Sequence, residues 1–402
     1  MRIVLDRKGI NGYLRCAVRR GQREYSTRVQ RSKAAKTVLP RQTPVEINHV
    51  KQENAAEALK VNGLPVWSET TVYKNEEALL LDAAPLLWSL AYRGVSQPQE
   101  IVTRLDKACK MVIGKRKPTY AALVLDSPGA RQSKQKVIEQ FREQVIVERQ
   151  IAQIQVSKSK GESDQTKDVQ PLLKDEKEKS AIIDISVSNL NFEYKGNRVA
   201  TNIGDLIKEV FAILTKPSTH MFTSMAVIHS PETEADDIIA TLTRMALDFS
   251  PSTSVVIAST DKDYFQLLTD SRVSIMRAPR AFFTGKMDVS REWVCQNIGV
   301  HPEQFVDYLA MTGDAADNVP GIKGIGPIRA QKLLSDFQTL DKILAISQKR
   351  SGQNAMWREI ANSGDIARLS REVVRLNQQV PIKLPNGFKS WKEAIRLPLS
   401  NS

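Results

Sequence analysis

Three apolar runs in this chain each lead into an aspartate, and that repeated pattern restricts the fold more than any other feature. Ala78-Leu79-Leu80-Leu81 is followed by Asp82, and Ala121-Ala122-Leu123-Val124-Leu125 by Asp126. Val255-Val256-Ile257-Ala258 passes through Ser259-Thr260 to Asp261. A strand with one wet face alternates polar and apolar residues. An unbroken apolar run suits a strand covered on both faces, as in a parallel sheet. Ile238, Leu242 and Met245 recur at helical spacing, so residues 236–247 read as an amphipathic helix. Helices are also expected over 131–155 and 205–214, and a strand over Met221–His229. This alternation predicts an α/β fold with a central, mostly parallel sheet flanked by helices. Such folds bind ligands outside the carboxyl ends of their strands, so three aspartates delivered there would converge.

More acids belong to the same pattern. Glu234-Ala235-Asp236-Asp237 opens the expected helix at 236–247, Asp261-Lys262-Asp263 follows the third apolar run, and Gly313-Asp314-Ala315-Ala316-Asp317-Asn318 lies further on. Taken singly, each is an ordinary surface charge, and acids at a helix start favour its dipole. Taken together on strand ends, they repel one another unless a cation neutralises them. The three cysteines (Cys16, Cys109, Cys295) and four histidines (His49, His220, His229, His301) show no ligand spacing. An oxygen-only ligand set suits Mg²⁺ or Mn²⁺. Two such ions roughly 4 Å apart clamp a phosphodiester between attacking and leaving oxygens.

The segment Val319-Pro320-Gly321-Ile322-Lys323-Gly324-Ile325-Gly326-Pro327 follows directly. Gly321, Gly324 and Gly326 permit tight turns, and Pro327 suits a first helical position. Free N–H groups at that helix start, with Lys323, Arg329 and Lys332 nearby, can hold a phosphate. By itself this is a glycine-rich turn. Placed after an acidic pair, it reads as a hairpin between helices that grips one DNA backbone without reading bases.

The net charge of +13 says less than it first suggests. Residues 1–42 hold 12 of the 58 Lys and Arg but only two acids, Asp6 and Glu24. An Arg-rich, acid-poor segment of this kind is expected to be a mitochondrial transit peptide, with a nucleic-acid-binding basic tail as the alternative. No stretch approaches the roughly 20 apolar residues of a membrane span. The expected organisation is a leader (1–42), a linker (43–71), an α/β core (72–270) with a charged insertion (157–180), a helical part (271–390) and a tail (391–402).

These blocks together resemble the 5′-nuclease superfamily over roughly residues 76–385. The matching motifs are Leu79-Leu80-Leu81-Asp82, Leu123-Val124-Leu125-Asp126, Glu234 to Ala240, Ser259 to Asp263, and Thr312 to Gly321. Leu369–Pro381 resembles the family's closing helix. The resemblance implies a resolvase-like (PIN-like) core, a helical arch that passes a 5′ single strand, and a helix-hairpin-helix region. It implies that Asp82, Asp126, Glu234, Asp236 and Asp261 serve a first Mg²⁺ or Mn²⁺, and that Asp263, Asp314 and Asp317 serve a second, with Asp237 in support. DNA contacts would come from Arg131, Gly321, Lys323, Gly324, Gly326, Arg329 and Lys332. In the arch the family has an Arg and, several residues on, a Tyr-Lys pair. Here Arg131 is followed by Gln132-Ser133-Lys134-Gln135-Lys136 and Phe141-Arg142, with no Tyr-Lys. Lys134, Lys136 and Arg142 are therefore the candidates for steering the scissile phosphate, the alternative being a solvated helix face.

The function so implied is a monomeric 5′–3′ exonuclease or flap endonuclease in mitochondrial DNA replication or repair. Its partners would be DNA with a 5′ end or flap, or an RNA–DNA primer junction, with no membrane. A single-strand RNA nuclease with a similar acidic core, and a DNA-binding scaffold with an inactive site, are the two alternatives. The first lacks a reason for the 319–334 hairpin, and the second lacks one for intact acidic blocks.

Overall fold

The strand that opens the described chain is also the centre of the sheet. In the computed structural model, β1 (Glu76–Asp82) pairs on one side with β2 (Tyr120–Val124) and on the other with β4 (Thr253–Ala258). β3 (Ala226–Ile228) and β5 (Val273–Met276) close the edges, giving the order β3-β2-β1-β4-β5 with every pair parallel. The structure describes residues 76–159, 190–196, 202–216, 221–277, 289–382, 384 and 390–397. The expected leader, the linker and the insertion beyond Ser159 lie outside the described residues.

The helices between the strands are α1 (Ala83–Tyr92), α2 (Pro98–Arg116), α3 (Ala130–Ser159), α4 (Asn202–Leu214) and α5 (Ala235–Phe249). The unbroken apolar runs are explained by their two coverings. Ala78, Leu80, Ala122, Val124, Val255 and Ile257 pack with Ile238, Ile239 and Leu242 of α5. Leu79, Leu81, Ala121, Leu123 and Val256 pack with Leu86, Leu87, Ile101, Leu105 and Val210 of α1, α2 and α4. The first of these cores continues without a break into Leu309, Leu334, Ile343 and Leu369 of the helices beyond the sheet. Those helices are α6 (Arg291–Asn297), α7 (Phe305–Thr312), α8 (Pro327–Phe337), α9 (Leu340–Arg350), α10 (Ala355–Asn362), α11 (Gly364–Val374) and α12 (Trp391–Ile395). Shared burial of this kind fixes the helical part against the sheet. No helix among the described residues is long and apolar enough to cross a membrane.

Two sequence expectations are corrected. The sheet does not end at residue 270, because Val255, Ile257 and Ala258 of β4 are in register with Val273, Ile275 and Met276 of β5. Residues 391–397, in the segment expected as a tail, pack against β2. Trp391 packs on Tyr120 with ring centres 5.4 Å apart and planes tilted by 56°, and the Leu397 N–H donates to Thr119 O at 3.1 Å. Leu369–Pro381 is not one helix either. The Gln266 amide donates to Val374 O (3.1 Å) and accepts from the Leu376 N–H (3.0 Å), so it takes up the backbone groups that a longer α11 would pair internally.

Candidate metal centre

The strand register carries the aspartates to one end of the sheet. Asp82 ends β1 opposite Val124, two residues before Asp126, and Leu81 faces Ala258, three residues before Asp261. Asp82 caps α1, its Oδ1 accepting from Ala84 N (3.1 Å), while Oδ2 accepts from Ser259 Oγ (2.8 Å) and Tyr264 Oη (3.3 Å). Asp126 Oδ1 accepts from Ala235 N at 2.8 Å, which ties the end of β2 to the start of α5. Glu234 occupies the N-cap of α5 but makes no cap bond with its side chain. That carboxylate is turned to Tyr194 Oη (3.1 Å) and to the Lys195 ammonium.

The remaining acids come from two loops. Asp261 Oδ1 accepts from Asp263 N at 3.0 Å. Beyond α7 the chain turns back on itself, with Asp314 and Val319 exchanging backbone hydrogen bonds of 2.9 and 2.8 Å. This small hairpin delivers Asp314 and Asp317 beside Asp263, with carboxylate oxygens of all three within 4.8 Å of one another. It closes through two glycines. Gly313 has φ +75°, and a Cβ on Gly321 would lie 2.5 Å from Gly313 N. The close backbone approach at Gly321 leaves no room for a side chain.

Burial first, and neighbouring acids second, raise the proton affinities of these carboxylates. Burial, then Asp126, pushes the Asp82 carboxyl up to about 8. Burial, then Asp236, pushes Glu234 up to about 8 against the pull of Lys195. Asp263 is raised well above the usual carboxylate range by burial, then by Asp261, Asp314 and Asp236. Its Oδ1 is buried and has no hydrogen-bond partner. A buried oxygen left unpaired inside a ring of oxygen donors, with no His or Cys in the set, fits a hard divalent cation such as Mg²⁺ or Mn²⁺.

Not every expected residue joins this centre. Asp237 Oδ1 accepts from Asn377 N (2.7 Å) and lies 3.5 Å from Lys134 Nζ, so it anchors the 375–380 segment. Lys134 is only 5% exposed and donates to Arg375 O at 2.8 Å. Its cation is held in the interior beside Arg375 O and Asp237, not on a solvated helix face. Lys136 pairs with Glu232 at 2.9 Å, and Arg142 donates to Asn191 Oδ1 at 3.3 Å.

The cations that do reach the acids lie elsewhere in the sequence. Tyr194-Lys195 is a Tyr-Lys pair outside the 131–142 stretch in which none was found. It stands beyond the insertion, not several residues after Arg131, but the fold returns it to the base of α3. Arg131 pairs with Glu193, and Tyr194 N donates to Gln135 Oε1 at 3.2 Å. Burial disfavours the Lys195 ammonium, yet Glu234, Asp236 and Asp317 outweigh it and raise its pKa above the ordinary value. The literal dipeptide is the signal in the sequence, one that Tyr73-Lys74 carries as well.

Gly326 caps α8 with Pro327 in its first turn, and Lys323, Gly324, Arg329 and Lys332 are exposed around that end. Arg329 Nη1 donates to Gly324 O at 2.6 Å, bracing the turn.

Two family descriptions match adjacent spans of the chain. Residues 167–299 match the family described as 5′-3′ exonuclease, N-terminal resolvase-like domain, and residues 300–393 match 5′-3′ exonuclease, C-terminal SAM fold. DNA polymerase I of Rhizobium leguminosarum is 39% identical over 191 residues, covering 48% of this chain and 18% of that protein. A 5′-3′ exonuclease of Mycoplasmopsis pulmonis is 36% identical over 152 residues, covering 38% of this chain and 48% of that one. The chain thus spans about a fifth to a half of the length of these relatives. A solved structure of T5 5′-exonuclease with bound divalent zinc aligns at 16% identity with a TM-score of 0.48, over 75% of this chain and 90% of that one. Asp82 and Asp126 precede both matched spans and join the site through the sheet.

Proposed function

The chain belongs to the 5′–3′ exonuclease family, and on that premise we propose that it is a structure-specific 5′ nuclease that hydrolyses DNA phosphodiesters with divalent cations. The observation that carries this reading is the carboxylate ring at the strand ends, with the unpartnered Asp263 Oδ1 inside it. Asp82, Asp126, Glu234, Asp236 and Asp261 would hold one cation, and Asp263, Asp314 and Asp317 another. Bound there, the cations supply charge neutralisation at the phosphoryl oxygens and lower the pKa of the attacking water.

The chain's own groups do the rest. The Lys195 ammonium, held on Glu234, is placed to stabilise charge that develops on the scissile phosphate. The Tyr194 hydroxyl stays protonated and fixes Glu234 and Asp317. The α8 start, with Lys323 and Lys332 exposed, would bind the duplex backbone away from the cut. The biological role we propose is removal of 5′ flaps or RNA primers in mitochondria, supported by the Arg-rich, acid-poor residues 1–42.

The test is cleavage of a 5′-flap DNA with Mg²⁺ or Mn²⁺ and with EDTA. Cleavage that needs metal, that is lost in Asp261→Ala/Asp263→Ala, and that falls by about 10²-fold in Lys195→Ala is expected. Full cleavage by the double variant overturns the site. Preference for single-stranded RNA over flap DNA overturns the substrate. A fluorescent C-terminal fusion that stays out of mitochondria overturns the location.

A further inference from the structure

Lys262 stands between two acids of the centre, Asp261 and Asp263, yet points to a third. Its Nζ lies 2.9 Å from Asp314 Oδ2. The other oxygen of Asp314 already accepts from Ala316 N at 3.1 Å, so the lysine holds the oxygen that remains. The exposures of the two side chains differ sharply, 44% for Lys262 and 5% for Asp314. The acid is fixed and the lysine has room to leave. Lys195 differs in this respect, since its side chain is only 15% exposed and its backbone N–H donates to Asp317 O at 2.8 Å.

The same cluster therefore contains one acid with an internal counter-ion and another, Asp263, with a buried oxygen that has no partner. A divalent ion held by Asp263, Asp314 and Asp317 would sit a few ångström from an ammonium at its present position. Like charges at that range disfavour one another, and the flexible, half-exposed side chain is the one able to move. We propose that Lys262 is a built-in counter-ion of the Asp263–Asp314–Asp317 cluster, which competes with the divalent cation for Asp314 and swings out when the cation binds. The inference rests on the metal-dependent reading given above. It makes the two cation positions unequal: the one beside Lys262 is the weaker in DNA-free protein. A DNA phosphate within reach of the released ammonium would stabilise the open position, so DNA and cation would each favour the other's binding.

The experiment is a Mn²⁺ titration without DNA, following free Mn²⁺ by electron paramagnetic resonance, on wild type, Lys262→Gln and Lys262→Arg. Loss of the competing charge in Lys262→Gln is expected to tighten the weaker Mn²⁺ by about tenfold, with Lys262→Arg within about twofold of wild type. Equal affinity in wild type and Lys262→Gln overturns the counter-ion role and leaves the metal reading standing. No Mn²⁺ bound by any of the three overturns the metal reading, and this inference with it. On wild type alone, reductive methylation read by mass spectrometry gives a second measure that needs no variant to fold. Lys262 should label faster with Mn²⁺ present, and labelling unchanged by Mn²⁺ overturns its movement.

Discussion

The Tyr194 hydroxyl donates to Glu234 Oε2 at 3.1 Å, with Asp317 Oδ2 3.4 Å away on its other side. One buried group thus joins the acid at the N-cap of α5 to an acid of the 313–321 hairpin. Removing it by Tyr194→Phe takes the hydroxyl contact from both carboxylates, while Glu234 keeps Lys195. The expected cost is about 1–2 kcal/mol in EDTA, seen as a lower Tm by circular dichroism, and a smaller cost with Mg²⁺ present. An unchanged Tm in EDTA contradicts the link.

The proton affinities of Asp82 and Glu234 set a pH dependence with a definite sign. Their folded values of about 8 stand above the ordinary 3.8 and 4.5. The folded protein therefore holds protons that the unfolded chain has released. The stability this gives is complete below about pH 4 and is lost as pH rises toward 8. Between pH 6 and 8.5, where ordinary carboxylates no longer titrate, the Tm in EDTA should fall. Mg²⁺ or Mn²⁺ should raise it more at pH 8.5 than at pH 6. A metal-free Tm that climbs over this interval would be the wrong sign.

Gly321 has no side chain to lose, yet its replacement should be severe. A Cβ there would lie 2.5 Å from Gly313 N and 2.6 Å from Met311 O, both backbone atoms that cannot move alone. Gly321→Ala is expected to cost at least about 2 kcal/mol in urea unfolding and to abolish cleavage by shifting Asp314 and Asp317. Gly326→Ala, with nothing within 4 Å of the added carbon, should keep its stability within about 1 kcal/mol of wild type.

The exposed end of α8 predicts a contact with the duplex backbone. Lys323→Ala and Lys332→Ala should each weaken flap-DNA binding at every sequence alike. Each should lower the slope of log K against log salt by about 1. Fluorescence anisotropy in Ca²⁺, over a salt series, separates this from a loss of catalysis. A slope equal to that of wild type in both variants removes the α8 end from the interface.

Much of this architecture can be read from residues alone, for reasons that also explain the omissions. β1, β2 and β4 are covered on both faces, so they appear as apolar runs that periodicity detects. β5 is four residues, Val273-Ser274-Ile275-Met276, too short and too mixed to stand out. α12 is five residues, and its packing on Tyr120 and Phe249 makes it part of the fold. The acids were legible because strand ends collect ligands whatever the rest of the chain does. Asp237 was not, since adjacent acids at a helix start look alike until Asn377 takes one of them. Tyr194 and Lys195 escaped because sequence distance is a poor guide to spatial distance across an insertion.

The hairpin that carries Asp314 and Asp317 has a consequence for how the protein is made. Synthesis runs from Asp82 onward, so a ribosome exposes the sheet acids long before this last pair of carboxylates. The helices that seat the pair share their core with the sheet and cannot bury Leu334, Ile343 or Leu369 until they too have emerged. A nascent chain, or one cut short before α11, therefore has half a metal centre and no means of closing it. The full set of carboxylates can therefore come together only after α11 has emerged and docked.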